Sequence, residues 1–303
     1  MKKMLVLCMT MAMVLSLVAC GKTDVPADVE PSVEADAAEE AAPVMEEAAA
    51  DEAPSAEAEG DARTTFIVGF DAEFPPYGSL DEATGEYVGF DLDLAAEVCA
   101  RNGWELVKQP IDWDAKDMEL SSGAIDCIWN GFTINGREDQ YTWTVPYVDN
   151  SQVFVVAADS GIASKADLAG KNVGVQKDSS ALAALEDEES PENLELAASF
   201  ASLTQYADYN TGFMDLEAGA IDALAMDVGV ANFQINSREA GAYVCLDEAL
   251  ALEQYAVGFL LGNTELKNQV EATLMDMVAD GTFMKIAENY ADFGLVDSVC
   301  LGK

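Results

Sequence analysis

The chain has 303 residues, 50% of them hydrophobic, with 56 acidic against 15 basic side chains and no histidine, for a formal charge of -41 at pH 7. That balance argues against nucleic acid as a partner, because a phosphate backbone demands a positive surface, and against electrostatic attachment to anionic lipid. The missing histidine removes the commonest general base and metal ligand, and the cysteines (Cys8, Cys20, Cys99, Cys127, Cys245, Cys300) contain no CxxC pair, so no metal site and no cofactor are expected.

Residues 1–20 read as an export signal. Lys2 and Lys3 precede the apolar stretch Met4–Ala19, which is too short for a stable membrane span. It ends in Leu17-Val18-Ala19-Cys20, which resembles the lipobox of bacterial lipoproteins, with Cys20 lipidated as the first mature residue. Ordinary secretion is the alternative. Residues 21–63 read as an acidic disordered tether: between 22 and 61 there are fourteen Asp or Glu, one Lys and no aromatic residue, and Pro26, Pro31, Pro43 and Pro54 interrupt any helix. An acidic metal-binding tract is the weaker alternative.

The folded part starts near Thr64, with Thr65–Phe70 as a strand and Asp71–Tyr77 as a rigid aromatic loop in which Pro75 and Pro76 restrict Phe74 and Tyr77. Gly89-Phe90 opens a helix with Asp91 or Asp93 near its start, and Asn102-Gly103 stops it. Trp104–Lys108 is the next strand, and Asp112-Trp113 opens a helix toward Ser122-Gly123. The apolar run Ile125–Trp129 reads as a buried strand ending at Asn130-Gly131, followed by Thr133 and Arg137. Val153–Ala158 is a strand long enough to cross between lobes. A short helix within 159–170 precedes the strand Asn172–Val175 and the loop Gln176–Ser180. A helix from Ala181 follows, whose free amide hydrogens suit an anion. Leu196–Phe200 reads as a strand, Gln205–Ala218 as a helix, Val228–Asn236 as another, and Tyr255–Leu261 as the second crossing strand. Leu266, Val270, Leu274 and Met277, then Phe283, Ile286, Ala287 and Tyr290, mark two last helices.

One pattern occurs twice. Met118, Leu120, Gly123, Ala124, Ile125 and Asp126 are matched by Met214, Leu216, Gly219, Ala220, Ile221 and Asp222. The second copy delivers Met226-Asp227 where the first delivers Asn130-Gly131. Ligands in open α/β sheets sit beyond strand carboxyl ends, so two such ends facing each other make a binding cleft. The expected class is α/β, in two lobes joined by two crossing segments: 64–150 as the first part of lobe 1, 151–256 as lobe 2 with its hinge strands, and 257–303 as the second part of lobe 1.

The ordered segments GFDAEFPPYG, GEYVGFDLDLAAEV, LSSGAIDCIWNGFTINGR, LAGKNVGVQKDSSA, LEAGAIDALAMD and DGTFMKIAENY resemble the family 3 extracellular solute-binding proteins, the amino-acid-binding lipoproteins of ATP-driven importers. The resemblance spans about residues 64–295 and implies the type 2 periplasmic-binding-protein fold. It implies a free amino acid as ligand and a membrane permease as partner. It also implies a lipid-anchored monomer on the outer face of the cytoplasmic membrane, and no enzymatic activity. By the same resemblance Arg137 holds the ligand carboxylate, in a loop one residue shorter from Thr133 than is usual. Gly131 and Thr133 are loop contacts, Asp227 takes the ammonium, and Ser179 and Ser180 supply donors to the carboxylate. Phe74 and Trp113 wall the ligand side chain. Asp71 and Gln176 sit where side-chain selectivity varies, with Asn130, Trp129 and Glu73 as further contributors. An acid between aromatics favours a polar or basic ligand.

Each of these residues also has a structural role to weigh. Asp227 suits a helix cap, Ser179 and Ser180 cap the helix that follows them, and Arg137 can pair with Glu138 or Asp139 on the surface. Cys99 with Cys127, or Cys245 with Cys300, form disulfides or stay thiols. A cleft enzyme using Glu73 and an extracellular amino-acid sensor are the competing functions.

Overall fold

The structure, a computed structural model, describes residues 63–303. The expected export signal, Cys20 and the acidic tether up to residue 62 lie outside the described residues. No helix among those described is long and apolar enough to cross a membrane.

Strand β1 (Thr65–Phe70) is buried along most of its length. A small antiparallel sheet of β2 (Glu73–Phe74), β3 (Gly78–Asp81) and β4 (Glu86–Val88) follows. Helix α1 (Phe90–Asn102) ends at Gly103, whose left-handed backbone (φ 71°) lets its N–H return to Cys99 O. Its N-cap is Gly89, and Asp91 and Asp93 both lie in its first turn, as expected. A Cβ at Gly89 would lie 2.2 Å from Tyr77 O, so only glycine fits there. After β5 (Glu105–Pro110), a 3-10 turn at Trp113–Ala115 leads into α2 (Lys116–Ser122). The apolar run at 125–129 pairs as a strand only over β6 (Cys127–Ile128). Strands β7 (Thr142–Trp143) and β8 (Val148–Ala157) come next.

A 3-10 turn at Lys165–Leu168, held by a reciprocal Ser164–Asp167 cap, precedes β9 (Asn172–Gln176) and α3 (Ser180–Glu186). The expected strand at Leu196–Phe200 lies instead within and just after α4 (Pro191–Ser199). Pro191 in its first turn and Glu192 beside it set the helix start, and Leu196, Ala197 and Phe200 pack on the lobe 2 core. The strand is β10 (Ser202–Tyr206), which shortens the next helix to α5 (Tyr209–Glu217), capped by Asp208. Then come β11 (Ala223–Asp227), α6 (Val228–Asn236), β12 (Tyr243–Cys245) and β13 (Ala251–Tyr255). The chain closes with β14 (Gly258–Phe259), α7 (Thr264–Ala279), α8 (Thr282–Glu288) and α9 (Leu295–Ser298).

Two mixed sheets result. One runs β5-β1-β6-β14-β7; the other runs β10-β9-β11-β8, with β12 and β13 both paired to the far side of β8. The chain passes from the first sheet to the second at Thr144–Tyr147 and returns at Ala256–Val257. Tyr147 N donates to Tyr255 O (2.9 Å) and Thr144 N to Val257 O (3.1 Å), so the two crossings are stitched together. Tyr255–Leu261 is therefore not one continuous strand: β13 belongs to one sheet and β14 to the other. The first crossing strand begins earlier than expected, at Val148.

The two copies of the sequence pattern do matching work. Gly123 and Gly219 both turn through left-handed backbone (φ 78° and 70°). Asp126 Oδ2 accepts from Ile67 N (2.7 Å) within β1, and Asp222 Oδ2 accepts from Asn172 N (2.8 Å) at the start of β9. Ile125 and Ile221 fill the space above glycines in those strands: a Cβ on Gly69 would meet Ile125 Cδ1 at 2.4 Å, and one on Gly174 would meet Ile221 Cδ1 at 2.6 Å. All four cysteines among the described residues are free thiols, so neither disulfide is formed.

Candidate functional site

The carboxyl ends of β1, β6, β9 and β11 point into the space between the sheets, and side chains from the two lobes meet there. Gln176 Nε2, at the end of β9, donates to Asp71 Oδ2 (2.8 Å), at the end of β1. Arg137 Nη1 donates to Ser180 Oγ (3.0 Å) and its Nη2 to Asp178 O (3.4 Å). Trp113 Nε1 donates to Asp178 O (3.2 Å). Lys116 pairs with the Asp178 carboxylate, Lys177 with Asp114, and Asn210 bonds Glu73. Asp178 is the one described non-glycine residue at positive φ (56°), a conformation that costs energy and holds its carbonyl toward Arg137 and Trp113.

Asp71 is buried, and desolvation pushes its carboxyl up to about 6, against hydrogen bonds from the Glu73 amide and Gln176. It makes no ion pair with Arg137. Asn130, also buried, accepts from Asp71 N (2.9 Å) and so shapes the loop. Gly131 takes left-handed backbone (φ 56°) against Phe74 and Tyr255; a Cβ there would lie 2.8 Å from Phe74 Cε1. Its amide is already used: Gly131 N donates to Asp91 Oδ2 (2.6 Å), and Tyr147 Oη donates to the same oxygen (2.8 Å). Phe74 lies tilted on Tyr209 at 5.8 Å between ring centroids, and Trp113 sits edge-on to Phe132 at 5.5 Å. Trp129 is core, packed on Tyr147 and away from these groups. Glu73 is exposed at the rim, engaged by Asn210.

Arg137 makes no ion pair with Glu138 or Asp139 among the described residues; it lies over the Phe132 ring (5.4 Å) and donates to Thr133 O (3.3 Å). Together with Ser179, Ser180 and Glu253 it lines a groove of about 750 Å³. Ser179 caps α3 by accepting from Leu182 N (3.2 Å). Ser180 is the serine that meets Arg137.

Asp227 does not line that groove. It ends β11, buried, with Tyr255 Oη, Gln152 Nε2 (2.7 Å) and Asn150 Nδ2 (3.0 Å) donating to Oδ1 and Tyr209 Oη (3.1 Å) to Oδ2. Although it occupies the N-cap position of α6, its side chain caps nothing. Burial raises its pKa, and the hydrogen bonds from Tyr255, Gln152 and Tyr209 only partly oppose this. Glu253 stands beside it. Sequence reasoning missed Asp91, Asn150, Gln152, Asp178, Tyr209, Glu253 and Tyr255. The polar run Asp149–Gln152 opening an otherwise apolar strand, and Glu253-Gln254 inside β13, were the available signal for Asn150, Gln152 and Glu253.

Residues 66–293 match the sequence profile of the bacterial extracellular solute-binding proteins, family 3. The L-cystine-binding protein TcyJ of Escherichia coli strain K12 is 28% identical over 231 residues, covering 75% of this chain and 83% of that protein. Among solved structures, a substrate-binding protein of an ABC uptake transporter from Streptococcus pneumoniae with bound histidine superposes with a TM-score of 0.70 at 33% identity, covering 75% of this chain and 92% of that one. An ancestral arginine-binding protein bound to arginine gives 0.68 at 32% identity, covering 76% and 99%. The fold is therefore that of the type 2 periplasmic amino-acid-binding proteins.

Proposed function

The chain belongs to the bacterial extracellular solute-binding proteins, family 3, and from this we propose that it captures a free amino acid between its lobes and hands it to an ATP-driven membrane importer. Capture means neutralising both charges of a zwitterion as water leaves. Arg137 takes the ligand carboxylate, with Ser179 and Ser180 as hydroxyl donors from the other lobe, because a planar guanidinium spans both oxygens. Asp227 takes the ammonium. Phe74 and Trp113 flank the side chain, while Asp71 and Gln176 select among side chains, with Gly131, Thr133 and Asn130 shaping the loop they share.

The observation that carries this reading is the meeting of Arg137 and Ser180 across the cleft (3.0 Å), beside a second cross-lobe pair, Asp71 and Gln176. The charge balance supports a basic or polar ligand. Asp71, Asp227 and Glu253 are buried acids near the cleft with no ion-pair partner among the described residues, whereas the lysines that reach it, Lys116 and Lys177, are already paired with Asp178 and Asp114. Domain limits 64–150, 151–256 and 257–303 then describe two jaws on one hinge, and attachment through lipidated Cys20, after removal of residues 1–19, keeps the clamp at the outer membrane face as a monomer.

The test is calorimetry of residues 63–303 against the standard amino acids and cystine, with mass spectrometry of any small molecule that co-purifies. Binding of a basic or polar amino acid with one-to-one stoichiometry is expected. Absence of heat with every one of them at millimolar concentration sinks the assignment.

A further inference from the structure

Asp227 is not the only acid at the inner end of the cleft. In the lobe 2 sheet Asp227 pairs with Gln152 on one side of β8, and Glu253 pairs with Asn150 on the other, so all four side chains share one face. Asn150 Nδ2 donates to Asp227 Oδ1 (3.0 Å) and Glu253 Oε1 (2.7 Å), and Gln152 Nε2 donates to the same two oxygens (2.7 Å each). Two carboxylates are thus held against one pair of amides. Both are buried, with Asp227 4% and Glu253 6% exposed.

No cation of the protein balances them: among the described residues neither acid is in an ion pair. The groups facing them are Tyr255 on β13, Tyr209 on α5 with Ser179 behind it, Thr133 on the 131–137 loop, and Tyr77 against Tyr255. Arg137 donates to Thr133 O, Ser180 Oγ and Asp178 O, and to neither acid. Asp91, the next acid, adds further negative charge around Tyr77. In addition the carbonyl oxygens of Asn150 and Gln152 are buried with no donor. The face is rich in acceptors and short of protons, which suits a ligand bearing several N–H donors.

We propose that Asp227 and Glu253 form one ammonium receptor, holding a single proton between them in the ligand-free protein and releasing it to solvent when a ligand ammonium enters. This rests on the amino-acid-binding reading and adds Glu253 to the site as a specificity-determining residue. The charge balances: a singly charged acid pair plus RNH3+ becomes a doubly charged pair holding RNH3+, and one H+ leaves to water. Two facing carboxylates out of water do not both ionise without a cation between them. Burial and the neighbouring Asp227 raise Glu253 to about 7, and burial raises Asp227 as well.

The test uses residues 63–303 and L-arginine first, then the other standard amino acids and cystine. In wild type the affinity should rise with pH from 5.5, by up to about tenfold per pH unit for one linked proton, and level off above neutrality. Binding enthalpy at pH 6.5 should differ between phosphate and Tris by the ionisation heat of nearly one proton. Glu253→Gln keeps the shape but leaves Asp227 singly charged, so its affinity should be flat from pH 5.5 to 8 with no buffer dependence. A ligand-free readout accompanies it: the thermal midpoint of Glu253→Gln, relative to wild type, should climb as pH rises through 7. Wild-type binding without proton release, or an unaltered pH profile in Glu253→Gln, overturns the role of the pair. Failure of every amino acid to bind wild type overturns the binding reading itself, a different result.

Discussion

The units α2–β6 and α5–β11 share a framework and differ at its tip. In each, a left-handed glycine ends the helix, an isoleucine fills the space over a strand glycine, and an aspartate accepts from a backbone amide of the neighbouring strand. Beyond that point they part. The lobe 1 unit ends on Asn130-Gly131, whose polar groups turn inward to Asp71 N and to Asp91. The lobe 2 unit ends on Met226-Asp227 and delivers a carboxylate ringed by tyrosines and amides. The shared part builds a lobe; the divergent two residues decide whether that lobe offers shape or charge.

Substitutions at the tips should break this contrast most strongly. Asp227→Ala should weaken amino-acid binding by on the order of 100-fold or more, the cost of leaving a buried ammonium without its partner, as read by calorimetry. An affinity within a few-fold of wild type would remove Asp227 from the site. Arg137→Lys, which keeps the charge but loses the fork, should cost about 10- to 100-fold.

Smaller effects sharpen the shared half. Gly69→Ala and Gly174→Ala should each destabilise the fold by about 1–3 kcal/mol through overpacking against Ile125 and Ile221. Urea titration checks whether the two losses are alike, as common architecture requires. Asp91 separates the lobes again, since lobe 1 buries it under the Gly131 loop with its pKa raised to about 7. A carboxyl raised above its unfolded value favours the fold while protonated, and that support is lost as pH climbs from the unfolded value through 7. Stability should therefore fall over this window by at most about 1.4 kcal/mol per pH unit from this group, and Asp91→Asn should flatten the dependence in thermal melts. The least effect is expected at the matched aspartates: Asp126→Ala and Asp222→Ala should each cost about 1 kcal/mol.

The sequence displayed the framework well and the charges poorly. Strand β1, helices α6 and α7 and the duplicated unit were legible because periodicity and glycine stops act locally. Leu196–Phe200 misled because an apolar run that short fits either a strand or a buried helix face, and Pro191 outweighed it. Pairing across distance was illegible. Nothing near Asp91 in the chain announces that it holds the Gly131 amide, and Glu253 meets Asp227 only because β11 and β13 flank the same strand.

The stitched crossings carry a mechanical consequence. Two adjacent ribbons joined by Tyr147 N to Tyr255 O and Thr144 N to Val257 O bend readily across their width but resist shear and torsion, as a door on two pins does. The jaws are left with a single swing. If the lobes move as proposed, the cross-lobe contacts of Arg137 with Ser180 and Asp178 and of Gln176 with Asp71 would then form and break together.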